Sequence, residues 1–237
     1  MAERFTLLRH RPQLVRNAPM VIVGIRADRA NLERALPEGL RPHPDNLVLL
    51  NLWESPEAME NTGFGSSGGM DIGYLAIEVE GHDGRSTDGS ARWPGRYFYQ
   101  HWSGFPAARD YAKAVSGLDI DPGRTRLSCR DDLLLASLDL NGRQVVALKA
   151  RASLDATGIG SGHSNYFARR LGEAGEEILQ LSIPWVGDVL PIEDTEVRFD
   201  FPDGHPALEV LANGPAEIAK ASFRRLTFVP YLGYQIL

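Results

Sequence analysis

His101 sits in the stretch GRYFYQHWSG (95–104), two residues beyond Tyr99 and four beyond Tyr97. In an extended strand residues two apart share a face, so this spacing predicts Tyr97, Tyr99 and His101 pointing into one cavity, with Phe98, Gln100 and Trp102 on the other face. The opposite assignment, with Phe98 and Trp102 turned to the core and His101 to solvent, satisfies the same periodicity. An imidazole titrating near neutrality suits proton transfer, and two phenols beside it would supply hydrogen bonds. By the same parity Asn51 and Trp53 of NLVLLNLWES (46–55) share a face, with Tyr74 on the following strand. An amide at Asn51 could donate to a developing oxyanion, or serve as a structural amide.

Other reactive types carry less. The chain has a glycine pattern, Gly63-x-Gly65-x-x-Gly68, but SPEAMEN precedes it and the strand-like MDIGYLAIEV follows. A dinucleotide site needs a strand before those glycines and a helix after them, so they are expected in a strand-to-strand loop. TGIGSGHS (157–164), also expected to be a loop, lacks the terminal lysine of a phosphate loop. Its Ser161 is outside a nucleophile elbow, although His163 or His101 could serve as its base. Six histidines are scattered without metal-ligand spacing, so neither a metal nor a cofactor is expected. Arg126 and Arg130 flank Cys129 and could favour a thiolate, but a lone cysteine in a strand reads first as packing. Only Lys113, Lys149 and Lys220 among 25 basic side chains could do amine chemistry.

These residues need elements to hold them. PMVIVGIRA (19–27), NLVLLNLWES and DIGYLAIEVEG (71–81) read as strands, the first buried. DRANLERALPEGL (28–40) reads as a helix capped by Asp28 and stopped by Pro37, and PAARDYAKAVSG (106–117) as a second, with Pro106 in its first turn and Gly117 at its end. A polar loop is expected over 82–94. TRLSCR (125–130) reads as a strand, followed by two more joined at Asn141-Gly142, a strong hairpin signal. Further strands are expected at EEILQLSIPWV (176–186), TEVRFDF (195–201), ALEVLAN (207–213) and FRRLTFVPYLGYQIL (223–237), with a short helix near PAEIAK (215–220). Residues 1–17 read as a peripheral arm on one domain spanning 1–237, giving a β-rich antiparallel α+β chain.

Composition bounds the partners. The chain has 237 residues, 43% hydrophobic and 24% charged, enough to bury a sizeable core. A net charge of −6 with interspersed signs argues against nucleic acid or an anionic membrane. One cysteine excludes an intramolecular disulfide; no leader pattern opens the chain, and no apolar run is long enough to span a bilayer. A soluble cytoplasmic protein is expected.

From IRADRANLERALPEGL (25–40) onward the sequence resembles the acetoacetate decarboxylase family. The resemblance rests on a strand, a short helix and an LPE-x-L turn at 36–40, then on NLVLLNLWES, on TGFGSSGGMDIGY (62–74) leading to a strand tyrosine, on GRYFYQHW with the helix after it, on the 133–154 hairpin and on the last strand. It implies a cone- or barrel-like double-layer antiparallel sheet with a few peripheral helices around a small-molecule pocket, and leaves a homo-oligomer open. It also implies a site that this chain lacks. The family's paired Schiff-base lysines fall within AVSGLDIDPG (114–123), which has none; its pocket glutamates fall at Asn51 and Ala76, and its early arginine at Ala18, with Arg16 nearby. Glu78 lies two residues past Ala76 on the same face, and Lys113 is the one lysine near the lost site. The expectation is an enzyme of this fold, of lyase or isomerase type, performing acid–base dehydration, isomerisation or cyclisation on an oxo-acid or polyketide-like carbonyl substrate in biosynthesis. His101, Tyr99, Tyr97 and Asn51 would be catalytic, and Trp53, Tyr74, Arg16, Glu78 and Lys113 would bind substrate. The alternatives are a non-catalytic small-molecule-binding protein and a decarboxylase using Lys113.

Overall fold

A computed structural model describes residues 6–7, 14–55, 70–153, 159–172, 175–230 and 233–237. Chain order is β1 (Thr6–Leu7), β2 (Val15–Arg26), α1 (Arg29–Ala35), β3 (Leu47–Ser55), β4 (Met70–Ser86), β5 (Arg92–Ser103), α2 (Pro106–Ser116), β6 (Asp121–Pro122), β7 (Arg124–Arg130), β8 (Leu133–Leu140) and β9 (Arg143–Ala152). It continues with β10 (Ile159–Gly172), β11 (Gly175–Phe199), a 3-10 turn (Pro206–Glu209), β12 (Gly214–Pro215), β13 (Ile218–Phe228) and β14 (Gly233–Ile236).

β2, β3, β4 and β5 form an antiparallel meander. On its other side β13 pairs with β2, β11 with β13 and β10 with β11. β10 then returns to β5 through a short parallel pairing, Tyr166 opposite Arg96 and Phe167 opposite Tyr97. Seven strands thus close into a ring, which leaves no free edge around the interior. The 25-residue β11 runs out of that ring into a second layer, where it pairs with β9, and β9 with β8 and β8 with β7.

This arrangement explains why β2, β3 and β4 are apolar on both faces. Val21, Val23, Leu50, Leu52, Leu75 and Ile77 face outward and pack against Leu134, Leu138, Val146 and Phe199 of the second layer. Met20, Ile22, Leu49, Ile72 and Ala76 face the ring interior. A strand covered on both sides reads as a near-continuous apolar run, as in MVIVGI and LVLLNLW. The free edge of β7 is blunted instead: the Thr125 N–H donates to Asp71 Oδ2 at 2.7 Å and the Leu127 N–H to Glu54 Oε2 at 3.3 Å.

Both helices follow their local signals. The Asp28 carboxylate accepts from Asn31 N at 3.1 Å and caps α1, which ends at Leu36 before Pro37. Pro106 opens α2, and Gly117 closes it in the left-handed region, φ 69°. Asn141 and Gly142 both have positive φ in the β8–β9 turn, as an Asn-Gly hairpin requires.

Several local expectations give way to long-range pairing. The expected 82–94 loop is the end of a hairpin, with β4 running to Ser86 and β5 starting at Arg92. From Ile159 onward the glycine run at 157–164 is strand, since β10 pairs with β11 through Ile159 opposite Asp188. The two strands expected over 176–201 are one bent strand. The PAEIAK stretch is not helical, because Pro215 pairs with Arg198 and Ile218 with Ile25. ALEVLAN is no strand either: its start is the 3-10 turn, and the Asn213 side chain brackets both backbone groups of Phe201 at 2.8 and 2.9 Å. The final stretch divides into β13 and β14. Gly63, Gly65 and Gly68, and most of the 1–17 arm, lie outside the described residues; Val15, Arg16 and Asn17 belong to β2.

Candidate active site

A β-bulge decides which side chains meet in the ring. Along the β4–β5 ladder Leu75 faces Gln100 and Ala76 faces Phe98, so Tyr99 has no residue opposite it. The extra residue switches the alternation. Arg96 and Phe98 point inward before the bulge, and His101 points inward after it. Tyr97 and Trp102 join the core between the layers. Tyr99 reaches outward, its hydroxyl against Pro206 O at 3.0 Å and Glu209 Oε2 at 2.7 Å. Tyr97 and Tyr99 therefore do not share a face with His101.

Within the ring the register builds one polar rung. Asn51 pairs with Ile22, Tyr74 with Asn51, and His101 with Tyr74. Asn51 Nδ2 donates to Tyr74 Oη at 2.6 Å, Tyr74 Oη lies 2.8 Å from Tyr166 Oη, and Arg96 Nη1 donates to Tyr166 Oη at 2.8 Å. Two phenolic protons serve this chain and only one lies between the phenols, so the other is available to the cavity whichever way the pair is oriented. The next rung, Met20, Trp53 and Ile72, is apolar. Leu226, Phe228, Ile183 and Trp185 extend that apolar wall, and Arg224 of β13 enters beside Met20. The cavity is open at one mouth and leaves about 80 Å³ free to the centre of a water molecule.

Burial sets the protonation states. His101 is 5% exposed, and desolvation alone pushes its pKa down to about 3, so it is neutral near pH 7. Burial, then the neighbouring Tyr166, holds the Tyr74 hydroxyl well above the ordinary phenol value. Burial and then the Arg96 charge bring Arg224 down to about 10, which leaves it cationic at neutral pH. Neither Arg96 nor Arg224 forms an ion pair with a described residue. Several buried polar atoms of the lining also lack a hydrogen-bond partner there: Asn51 Oδ1, Arg96 Nε, both His101 ring nitrogens and Trp185 Nε1. Buried polar atoms are rarely left unpaired, so this concentration marks where a polar ligand would sit.

The structure brings Asn51, Trp53, Tyr74 and His101 together and leaves the other expected site residues elsewhere. Arg16 is exposed at an irregularity of β2, beside Asn17 with φ 46°, while Ala18 packs in the ring. Glu78 is fully buried but faces Lys220, whose Nζ donates to its two oxygens at 2.8 and 3.1 Å. Lys113 is exposed on α2 and pairs with Asp119 at 2.6 Å. Lys149 is exposed on β9, so none of the chain's three lysines lines the cavity. Arg96, Tyr166 and Arg224 were not among the expected site residues. Arg224 and Arg225 are adjacent in FRRLTF, and strand parity puts one inward and the other outward against Asp188 at 3.2 Å. The sequence signal was a charged residue at an inward parity within an apolar strand, visible only once the inward face is known.

Two other groupings stay outside this chemistry. Ligand atoms of His43, Asp45 and Glu78 lie within 4.8 Å of one another, but Lys220 already occupies both Glu78 oxygens. Cys129 is partly buried, and burial, then Asp132, push its thiol up, away from thiolate chemistry. Among the described residues no helix is long and apolar enough to cross a membrane.

No family model and no curated protein matches the sequence. Solved structures do match the fold. An acetoacetate decarboxylase structure aligns with TM-score 0.73 and 16% identity over 97% of this chain and 91% of its own. The acetoacetate decarboxylase of Legionella pneumophila subsp. pneumophila str. Philadelphia 1 gives 0.73 and 12% identity over 98% and 89%. The enduracididine biosynthesis enzyme MppR complexed with pyruvate gives 0.66 and 12% identity over 92% and 88%. The likeness is one of architecture, and with the ring and its second layer it establishes that this chain has the acetoacetate decarboxylase-like fold.

Proposed function

We propose that the protein is an enzyme that binds a carbonyl compound in the ring cavity and moves a proton on it by acid–base chemistry, without an imine to lysine. The carrying observation is a buried His101, its ring nitrogens without partners among the described residues, beside a Tyr74–Tyr166 pair that has one phenolic proton to spare, in a lining that contains no lysine. The substrate carbonyl oxygen would accept from the Tyr74–Tyr166 pair. His101, already in its basic form, would take a proton from the adjacent carbon, leaving an enolate on that oxygen and an imidazolium beside it. Return of the proton at another carbon gives isomerisation. Loss of a β-hydroxyl as water, its proton supplied by His101, gives dehydration. Attack of the enolate on a second carbonyl of the same substrate gives cyclisation. Asn51, donating to Tyr74, would make that phenol the better donor.

The complexes of MppR with pyruvate, and with the condensation product of pyruvate and imidazole 4-carboxaldehyde, support an oxo acid as the substrate type on this fold. A second reading, a binding protein without turnover, draws on the weak basicity of His101.

Solvent exchange separates the two. With pyruvate and phenylpyruvate in D2O, the wild type is expected to speed deuterium exchange beside the carbonyl, read by proton NMR. His101→Gln and Tyr74→Phe are each expected to slow it about 100-fold, the scale of one lost general base or oxyanion donor. Exchange at the buffer rate with the wild type, or undiminished in both variants, sinks the catalytic reading.

A further inference from the structure

The polar and apolar rungs also fix the kind of molecule the cavity takes. We infer that it binds a monocarboxylate bearing a ring or a similarly bulky apolar body, with the carboxylate held between Arg96 and Arg224 and the body against the next rung; this rests on the cavity being the substrate site.

The charge argument comes first. Arg96 and Arg224 both enter the cavity, and neither meets a carboxylate in an ion pair among the described residues. Glu78, the buried acid nearest in register, opposite Arg96, already takes two hydrogen bonds from Lys220. Arg96 is buried and Arg224 half-buried, and charges held out of water are tolerated when something pairs with them, so two inward guanidiniums call for an anion. Arg96 Nε and Trp185 Nε1, both buried donors without acceptors among the described residues, add directional hydrogen bonds. Planar guanidiniums match a carboxylate in the two-point manner.

Size follows from strand geometry. Asn51 and Trp53, like Tyr74 and Ile72, are two residues apart on one strand face, so the rungs are about 7 Å apart. A two- or three-carbon acid held between the guanidiniums has no apolar body to lay against Trp53, Phe228 and Trp185. A six-membered ring one or two carbons from its carboxylate spans the gap and meets Trp53, Phe228 and Trp185. Trp53 and Phe228 stand edge to face, centroids 5.3 Å apart, which offers a ring both an edge and a face to pack on. Met20 and Met70 are adaptable side chains that tolerate variation in the body's shape.

The test uses unreactive probes, so its outcome does not depend on turnover. Binding of 3-phenylpropanoate, 3-phenylpropanol, propanoate and phenyl phosphate to the full chain would be measured by calorimetry and by tryptophan fluorescence. The acid is expected to bind at least 10-fold more tightly than each of the other three. Arg224→Met and Arg96→Met are each expected to weaken the acid at least 10-fold and the alcohol less than 3-fold, with Arg224→Lys intermediate. Equal binding of acid and alcohol overturns the carboxylate clamp. Equal binding of propanoate overturns the apolar body, and preference for phenyl phosphate overturns the headgroup. Because the panel is read on the wild type, a variant that fails to fold leaves these outcomes intact. If the acid binds as expected but no exchange occurs, the acid–base reading fails while this one stands.

Discussion

Lowering the pH from about 7 to about 5 is expected to cost the folded protein about 2 kcal/mol through His101 alone. In the folded chain its pKa is pushed down to about 3 by burial, against 6.5 for the free side chain. Below pH 6.5 the unfolded chain therefore binds a proton that the folded chain refuses. The stability that neutral burial preserves is complete above the unfolded pKa and is lost as the pH falls toward the folded one. Across this window the unfolded histidine gains about 1.4 log units of proton-binding free energy, at 1.36 kcal/mol each. The loss corresponds to a fall in Tm of about 4–8 °C in a chain of this size. Urea unfolding at both pH values would measure it, with His101→Gln as reference, because His163 and His205 are also shifted down and contribute to the wild-type slope. The wild type is expected to lose about 2 kcal/mol more than the variant over this interval. Equal losses would mean that His101 titrates normally, and the buried, neutral imidazole would be wrong.

The Glu78–Lys220 pair is asymmetric, since Glu78 is fully buried and the Lys220 side chain is 48% exposed. Lys220→Met, which strands the carboxylate, is expected to cost about 3–5 kcal/mol, and Glu78→Gln, which leaves an amine able to rehydrate, about 2 kcal/mol; urea unfolding that reverses this order refutes the pairing. Gly187 has φ 152°, and a Cβ there would run into the Arg225 carbonyl across the β11–β13 ladder. Gly187→Ala is expected to cost about 2–4 kcal/mol in the same assay, and a loss below about 0.5 kcal/mol would contradict the close strand approach.

The strands and helices that close over short distances were legible in the sequence. Asp28 and Pro37 bracket α1, Pro106 and Gly117 bracket α2, and Asn141-Gly142 turns the β8–β9 hairpin, each through groups a few residues apart. The family resemblance supplied the architecture. Two features depended on distant partners. The bulge at Tyr99 exists because Ala76 pairs with Phe98 and Leu75 with Gln100, and nothing within GRYFYQHWSG marks the extra residue. This is why parity grouped His101 with Tyr97 and Tyr99, when its neighbours are Tyr74 at 5.4 Å and Phe98 at 5.1 Å between ring centroids. Similarly, PAEIAK has helical composition but is drawn into strand by pairing across to Ile25. The site was half legible, because Asn51, Trp53 and Tyr74 lie on regular strands whose alternation holds. Arg96, Tyr166 and Arg224 come from three other strands, brought together only by ring closure.

Borohydride reduction tests the central claim most directly. The protein would be incubated with pyruvate or phenylpyruvate, treated with sodium borohydride and weighed intact by mass spectrometry. A lysine-free acid–base cavity predicts an unchanged mass with both acids. A saturable mass gain of one reduced oxo acid, mapped to Lys113 or Lys220, would put imine chemistry back and contradict the account.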